Sequence, residues 1–160
     1  MSHSLPNLSG DIVTLSEKLL LEGRKASRES HRLRVMQPIQ RTQDAGVQRL
    51  LNFLQPGTYI RPHCHPLPDA SESVLVISGR LEVLIFDSHG RIQERHHLET
   101  SNPFIDIEPG VWHSMIVLEN DTTVLEFKKG PYDPITDKLF AHWAPPEDHR
   151  QAVDYLQSLI

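Results

Sequence analysis

From residue 47 to residue 129 the sequence is a succession of short apolar alternations, each stopped by turn formers before it grows long enough to be a helix. VQRLLNFL runs into Pro56-Gly57, YIRPHCH into PLPDAS, SVLVIS into Gly79-Arg80, and LEVLIFD into Ser88-His89-Gly90. RIQERHHL, FIDIE, WHSMIVL and TTVLEFKK continue the series, separated by TSNP, Pro109-Gly110 and Glu119-Asn120-Asp121. Period-two alternation buries one face of an extended chain, and even spacing between turn signals is the pattern of an antiparallel sandwich or barrel.

The flanks read differently. Thr14-x-x-Glu17 has the form of a capping box, and Leu15, Leu19, Leu20, Gly23 and Ala26 fall on one side at helical spacing, which predicts a helix over residues 15–27. The basic stretch RKASRESHRLRV then reads as a solvated helix end and loop. After the alternations comes a Pro-rich tail, and Val153, Leu156 and Ile160 predict a short amphipathic helix at its end. The expected organisation is one domain: a helix and lead-in over 1–46, a β core over 47–130, and a tail with a helix over 131–160.

Composition narrows the function classes. The chain has 160 residues, a single cysteine and a formal net charge of −5 without a basic run, so neither a disulfide scaffold nor a nucleic-acid footprint is expected. With no apolar run near membrane-spanning length and no signal-peptide pattern, the expectation is a cytoplasmic protein without a membrane partner. Ten histidines beside one thiol can build a nitrogen/oxygen metal site but not a thiolate one.

The segment around YIRPHCH carries the chemistry. If it is a strand, Tyr59, Arg61, His63 and His65 share one face, and two imidazoles two residues apart can bind one ion. Glu72 opens the following strand, where hairpin pairing would return a carboxylate to them, and His113 follows the Pro109-Gly110 turn as a third imidazole. Three imidazoles and a carboxylate suit one divalent transition metal, Fe, Mn, Ni or Zn.

These residues resemble the first motif of the cupin superfamily, G-x5-H-x-H-x3–4-E-x6-G, through Gly57, His63, His65, Glu72 and Gly79. Six residues stand between His65 and Glu72, so Asp69 is a rival carboxylate, whereas the spacing from Glu72 to Gly79 is the motif's own. The second motif, P-x-G-x2-H-x3-N, is met loosely by Pro109, Gly110 and His113, without the Asn. Over nearly the whole chain, ESHRLR, VQRLLNFLQPGTYIRPHCHP, LEVLIFDSHGRI, EPGVWHS, and LEFKKGPYDP followed by TDKLFAHWAPPE resemble the WbuC family of cupin-fold metalloproteins. The resemblance implies an all-β, cupin-like double-stranded antiparallel β-barrel, or jelly roll. It also implies a link to bacterial surface-polysaccharide synthesis, hence a sugar or nucleotide-sugar as substrate.

Three further residues are candidates for binding a substrate. An inward Arg61 needs an anionic partner, either Glu126 or a carboxylate or phosphate of a ligand, unless Pro62 bulges the strand and turns it outward. Glu126 interrupts the apolar run TTVLEF and reads as a lining carboxylate. Tyr59 is either a cavity donor or a packed core residue. Cys64 is expected to face away from the metal, Trp112 to pack outside the cavity or at a dimer contact, and His142 and Trp143 to pack the tail onto the barrel. His96 and His97, adjacent and following charged residues, read as surface, and His3, His89 and His149 have no partner at ligand spacing.

The expected function is a metal-dependent enzyme acting on a small polar, anionic metabolite, with no catalytic residue assigned beyond the metal ligands. The alternative is a non-catalytic small-molecule-binding or sensor protein. The partners are a small-molecule ligand and a second copy in a homodimer.

Overall fold

Two five-stranded antiparallel sheets face each other in a computed structural model that describes residues 4–160. The first has the order β1 (Arg34–Pro38), β2 (Val47–Leu54), β9 (Thr122–Lys129), β4 (Glu72–Ser78), β7 (Phe104–Ile107). The second runs β10 (Leu139–Phe140), β3 (His63–Cys64), β8 (Trp112–Val117), β5 (Arg80–Phe86), β6 (Ile92–Glu99). This is the jelly-roll arrangement, with one correction: the two sheets stay open at their edges and do not close into a barrel. The edge strands β1 and β10 come from the segments read as lead-in and tail, so both sheets extend beyond residues 47–130.

Alternation explains what faces where. Leu54, Val74, Val76, Ile107 and Val124 of the first sheet meet Leu81, Val83, Leu98, Met115 and Val117 of the second in one buried cluster between the sheets. The opposite parity of the first sheet, Val35, Leu51 and Phe53, packs under α1 (Glu17–Glu29), and that of the second, Leu84, Phe86 and Ile116, packs under α2 (Ala152–Leu159). Each sheet thus has one face in the common core and a helix on the other.

Both helices depart from the sequence expectation in register. α1 starts two residues later than predicted because Ser16, not Thr14, is its N-cap, with the Ser16 hydroxyl accepting from the Leu19 N–H at 3.2 Å. Leu19, Leu20 and Ala26 do face the sheet, whereas Leu15 is exposed. In α2 the buried residues are Ala152, Leu156 and Leu159, while Val153 and Ile160 point outward. Gly23 lies so close to the sheet that a Cβ there would overlap the ring of the fully buried Phe53. A Gly23→Ala chain is therefore expected to lose about 1–3 kcal/mol in denaturant unfolding despite the better helix propensity of alanine.

The YIRPHCH segment is the largest local departure. Only His63 and Cys64 are in a ladder. Upstream the backbone acceptors are taken by side chains: Arg34 donates to the Tyr59 carbonyl at 2.9 Å and Ser114 to that of Ile60 at 2.6 Å. Pro62 has no N–H to offer, and its carbonyl accepts from Ala141 N at 2.9 Å.

Candidate metal centre

His63 and His113 lie directly opposite each other in the β3–β8 pairing, with ring centroids 4.5 Å apart. Glu72 reaches them from the other sheet. β3 and β4 therefore do not form the hairpin the sequence suggested, and the carboxylate crosses the space between the sheets. His65 lies just past the end of β3 and is held from two sides: its carbonyl accepts from the Gly110 N–H at 2.9 Å, and its ring bonds the Asp137 carbonyl at 2.5 Å. Gly110 adopts φ +79°, a left-handed conformation that glycine takes without strain, so the turn before His113 is tied to His65. One nitrogen or oxygen from each of His63, His65, Glu72 and His113 lies within 4.8 Å of the others, and all four residues are buried.

The hydrogen bonds settle the tautomers. Nδ1 of His63, His65 and His113 bonds the carbonyl oxygens of Arg61 (2.9 Å), Asp137 (2.5 Å) and Val111 (2.9 Å). A carbonyl can only accept, so each Nδ1 carries a proton, and each ring turns its Nε2 toward the cluster. Two of these, on His113 and His65, face Glu72 Oε2 at 2.9 and 3.2 Å; the third, on His63, is buried without any partner. At these distances a proton or a metal ion must lie between each Nε2 and the carboxylate, because two lone pairs facing each other repel.

Burial holds the His63 imidazole well below its usual pKa, and the neighbouring Lys138 and His113 add to the effect, so this ring is neutral and available as a ligand. Burial alone would raise the Glu72 carboxyl. Its contacts to His113 and His65 outweigh burial and hold it well below the usual carboxylate range. The donor set, three imidazole nitrogens backed by carbonyls and one carboxylate oxygen, fits a divalent transition metal, which would supply Lewis acidity at that point. Asp69 is elsewhere: its carboxylate is exposed and pairs with Lys129.

Beside this cluster lies a cavity of about 420 Å³ between the inner sheet faces. His63 and Glu72 line it at one end, β1 and β10 along its edges, and polar side chains of the first sheet, Gln48, Asn52, Glu126 and Lys128, on its floor. Glu126 is half-buried and hydrogen-bonded by Asn52; burial and the nearby Glu72 push its carboxyl up to about 7. Between the ordinary carboxylate range and pH 7, folded Glu126 holds a proton that the unfolded chain has released. Its contribution to stability therefore falls as pH rises through that window, by up to about 3 kcal/mol. In metal-free protein, Glu126→Gln is expected to raise the unfolding midpoint at pH 8 and to leave it nearly unchanged at pH 5.

Arg61 lines the cavity and does not pair with Glu126. Its Nε and Nη2 donate to the Ala144 and Ala141 carbonyls at 3.1 and 2.7 Å, and its guanidinium lies 5.3 Å from the centre of the Phe140 ring. Tyr59 is a packed core residue: its hydroxyl donates to the Pro145 carbonyl at 2.9 Å, its ring meets Tyr155 edge-on, and burial raises its phenol. Cys64 is buried, with its thiol pushed up by burial. Trp112 and Trp143 pack with Phe86 and α2 outside the cavity. His96 and His97 pair with Glu94 and Glu82, and His3 lies outside the described residues. The basic stretch is also not simply solvated, since Arg32 and Arg34 both bind Glu147 of the tail.

Several residues of the cavity were missed, among them Lys128, Asp137 and Lys138. Lys128 shares parity with Glu126 in β9 and could have been found from the alternation; it is buried and paired with Asp137 at 2.8 Å. Asp137 and Lys138 belong to the tail, where no periodicity marks them.

Known structures share this architecture at low sequence identity. Oxalate decarboxylase from Bacillus subtilis superposes with a TM-score of 0.52 at 18% identity, over 67% of this chain and 27% of that one. The capsular polysaccharide assembling protein CapF from Staphylococcus aureus superposes with a TM-score of 0.54 at 22% identity, over 66% and 28%. The chain thus spans little more than a quarter of either relative. These are cupin-fold proteins, and two facing antiparallel sheets with a histidine–carboxylate cluster between them make this chain a cupin-type jelly roll. More particularly, it belongs to the family described as a domain of unknown function, DUF6016, whose model matches residues 15–98. That span contains His63, His65 and Glu72 and stops short of His113. No functionally curated protein matches the chain. No described helix is long and apolar enough to cross a membrane.

Proposed function

We propose that the chain is a metal-dependent enzyme that handles a small, polar, anionic metabolite at one divalent ion held by His63, His65, Glu72 and His113. The observation that carries this reading is the set of three Nδ1 atoms held by carbonyls, which turns three Nε2 atoms and the Glu72 carboxylate toward one point. A purely structural metal is normally enclosed by its ligands. Here the cluster adjoins a cavity lined by charged and amide side chains, which favours an ion open to a ligand over a structural one.

The surface-polysaccharide context, with a sugar or nucleotide-sugar as substrate, rests on the WbuC-type resemblance; CapF shares the fold and carries no more than that. Water-proton relaxation of the Mn(II)-loaded protein tests the reading. It calls for exchangeable water on the ion and for its displacement by some member of a panel of sugar acids, sugar phosphates and nucleotide-sugars. A metal without exchangeable water, or water that no member displaces, would overturn it. Turnover of a displacing compound separates the enzyme from the sensor or binding protein.

A further inference from the structure

The charges around the cavity do not balance. Arg32 and Arg34 share the single carboxylate of Glu147, and Lys128 is matched by Asp137. Arg61 is hydrogen-bonded to neutral carbonyls, and among the described residues no carboxylate lies within 4.0 Å of its guanidinium or of the Lys138 ammonium. Lys138 also makes no hydrogen bond with its side chain to any described residue. Its backbone position is nevertheless fixed. The preceding carbonyl, of Asp137, accepts the His65 Nδ1–H, and the Leu139 and Phe140 that follow are paired with Cys64 and His63 in β10–β3. A flexible cation is thus anchored beside the metal cluster and lines the same cavity as His63 and Glu72.

With a divalent ion on Glu72, the excess of positive charge grows further. The carboxylates of Glu72, Glu126 and Asp137 act on the Lys138 ammonium only from beyond contact distance; a partly buried ammonium with no anion in contact is costly, and a bound anion lowers that cost. The cavity's size lies toward the small end of ligand pockets, and its floor offers the amides of Gln48 and Asn52 and the carboxyl of Glu126, groups that suit hydroxyls.

We propose that Lys138 is the ligand-binding cation of this cavity, receiving the carboxylate or phosphate of a monosaccharide-sized, hydroxylated anion whose other end lies toward the metal. This rests on the metal-centre reading above and narrows it: a single sugar acid or sugar phosphate fits inside, and the nucleotide of a nucleotide-sugar does not.

The test is isothermal titration of the metal-loaded protein with glucuronate, glucose 6-phosphate and uncharged glucose, in wild type, Lys138→Gln and Lys138→Arg. Metal content and unfolding midpoint are measured first on each variant. At least one of the two anions is expected to bind about tenfold or more tightly than glucose. Lys138→Gln should remove that advantage, and Lys138→Arg should restore most of it. Whether glucuronate or glucose 6-phosphate shows the advantage tells carboxylate from phosphate. If metal is bound and the variants are folded, but the anions bind no better than glucose or Lys138→Gln binds them as well as wild type, the proposal fails while the metal centre stands. Absence of metal from folded wild type would instead remove the reading beneath it.

Discussion

A His113→Ala chain, purified and dialysed against trace divalent metal beside wild type, is expected to retain less than about a tenth of the wild-type metal while keeping its fold. The lost side chain touches both the neighbouring strand and the opposite sheet: its ring lies 4.5 Å from that of His63, and its Nε2 is 2.9 Å from the Glu72 carboxylate. Disturbing even the groups that support a ligand lowers metal affinity about 10–100-fold, so removal of a ligand should do at least as much. His63→Ala should behave alike, because its Nε2 is the buried atom without another partner. Both metal-free variants should unfold within about 2 kcal/mol of metal-free wild type, because the core between the sheets is built from aliphatic residues and Met115. Metal content equal to wild type in both variants would contradict the ligand assignment, and a variant that unfolds on losing the metal would contradict the claim that the core stands without it.

The second large effect concerns the tail. Glu147 accepts from Arg32 at 2.7 Å and from Arg34 at 2.5 Å, and among the described residues no other carboxylate is in contact with these two guanidiniums beside the cavity. Arg34 is 11% exposed and Glu147 30%, so the pair is screened by solvent less than a surface ion pair and more than a fully buried one. Glu147→Ala leaves both arginines without a carboxylate in contact and releases a clasp that holds the tail. The expected cost is about 2–4 kcal/mol, or a fall of roughly 4–16 °C in the thermal midpoint for a chain of this size. The sign with pH follows from Glu147, whose carboxyl burial would raise but the two arginines hold below its ordinary value. The clasp's stabilisation is therefore present above the ordinary carboxylate range and is lost as pH falls through the depressed folded value. A Glu147→Ala chain that matches wild type at pH 7 would show that the two guanidiniums are adequately solvated without it.

The β core was legible because strand alternation and turn residues are local. VQRLLNFL and TTVLEFKK became β2 and β9 with the boundaries their turns imply, and they pair with each other from Val47–Lys129 to Leu54–Thr122. Four ligand-type residues could be gathered from motif spacing alone, although the route by which Glu72 reaches the imidazoles could not. Sheet membership is a long-range property, and β3 and β4, adjacent in sequence, belong to different sheets. Arg61 illustrates the same limit: parity pointed it inward, and it lines the cavity, but Pro62 and the side chains that claim the neighbouring carbonyls end the ladder, and its hydrogen bonds go to the tail's backbone, which no spacing foretold. Lys138 and Glu147 lie in a segment without periodicity, where only the folded tail shows what they face.

Crystals of the protein grown with its native metal and measured on both sides of that metal's absorption edge test the central claim most directly. The account predicts one anomalous peak per chain, within about 2.0–2.3 Å of Nε2 of His63, His65 and His113 and of a Glu72 oxygen, with none at Asp69. A stoichiometric metal bound elsewhere, or an ordered cluster that stays empty at saturating Mn(II), Fe(II), Ni(II) and Zn(II), would contradict it.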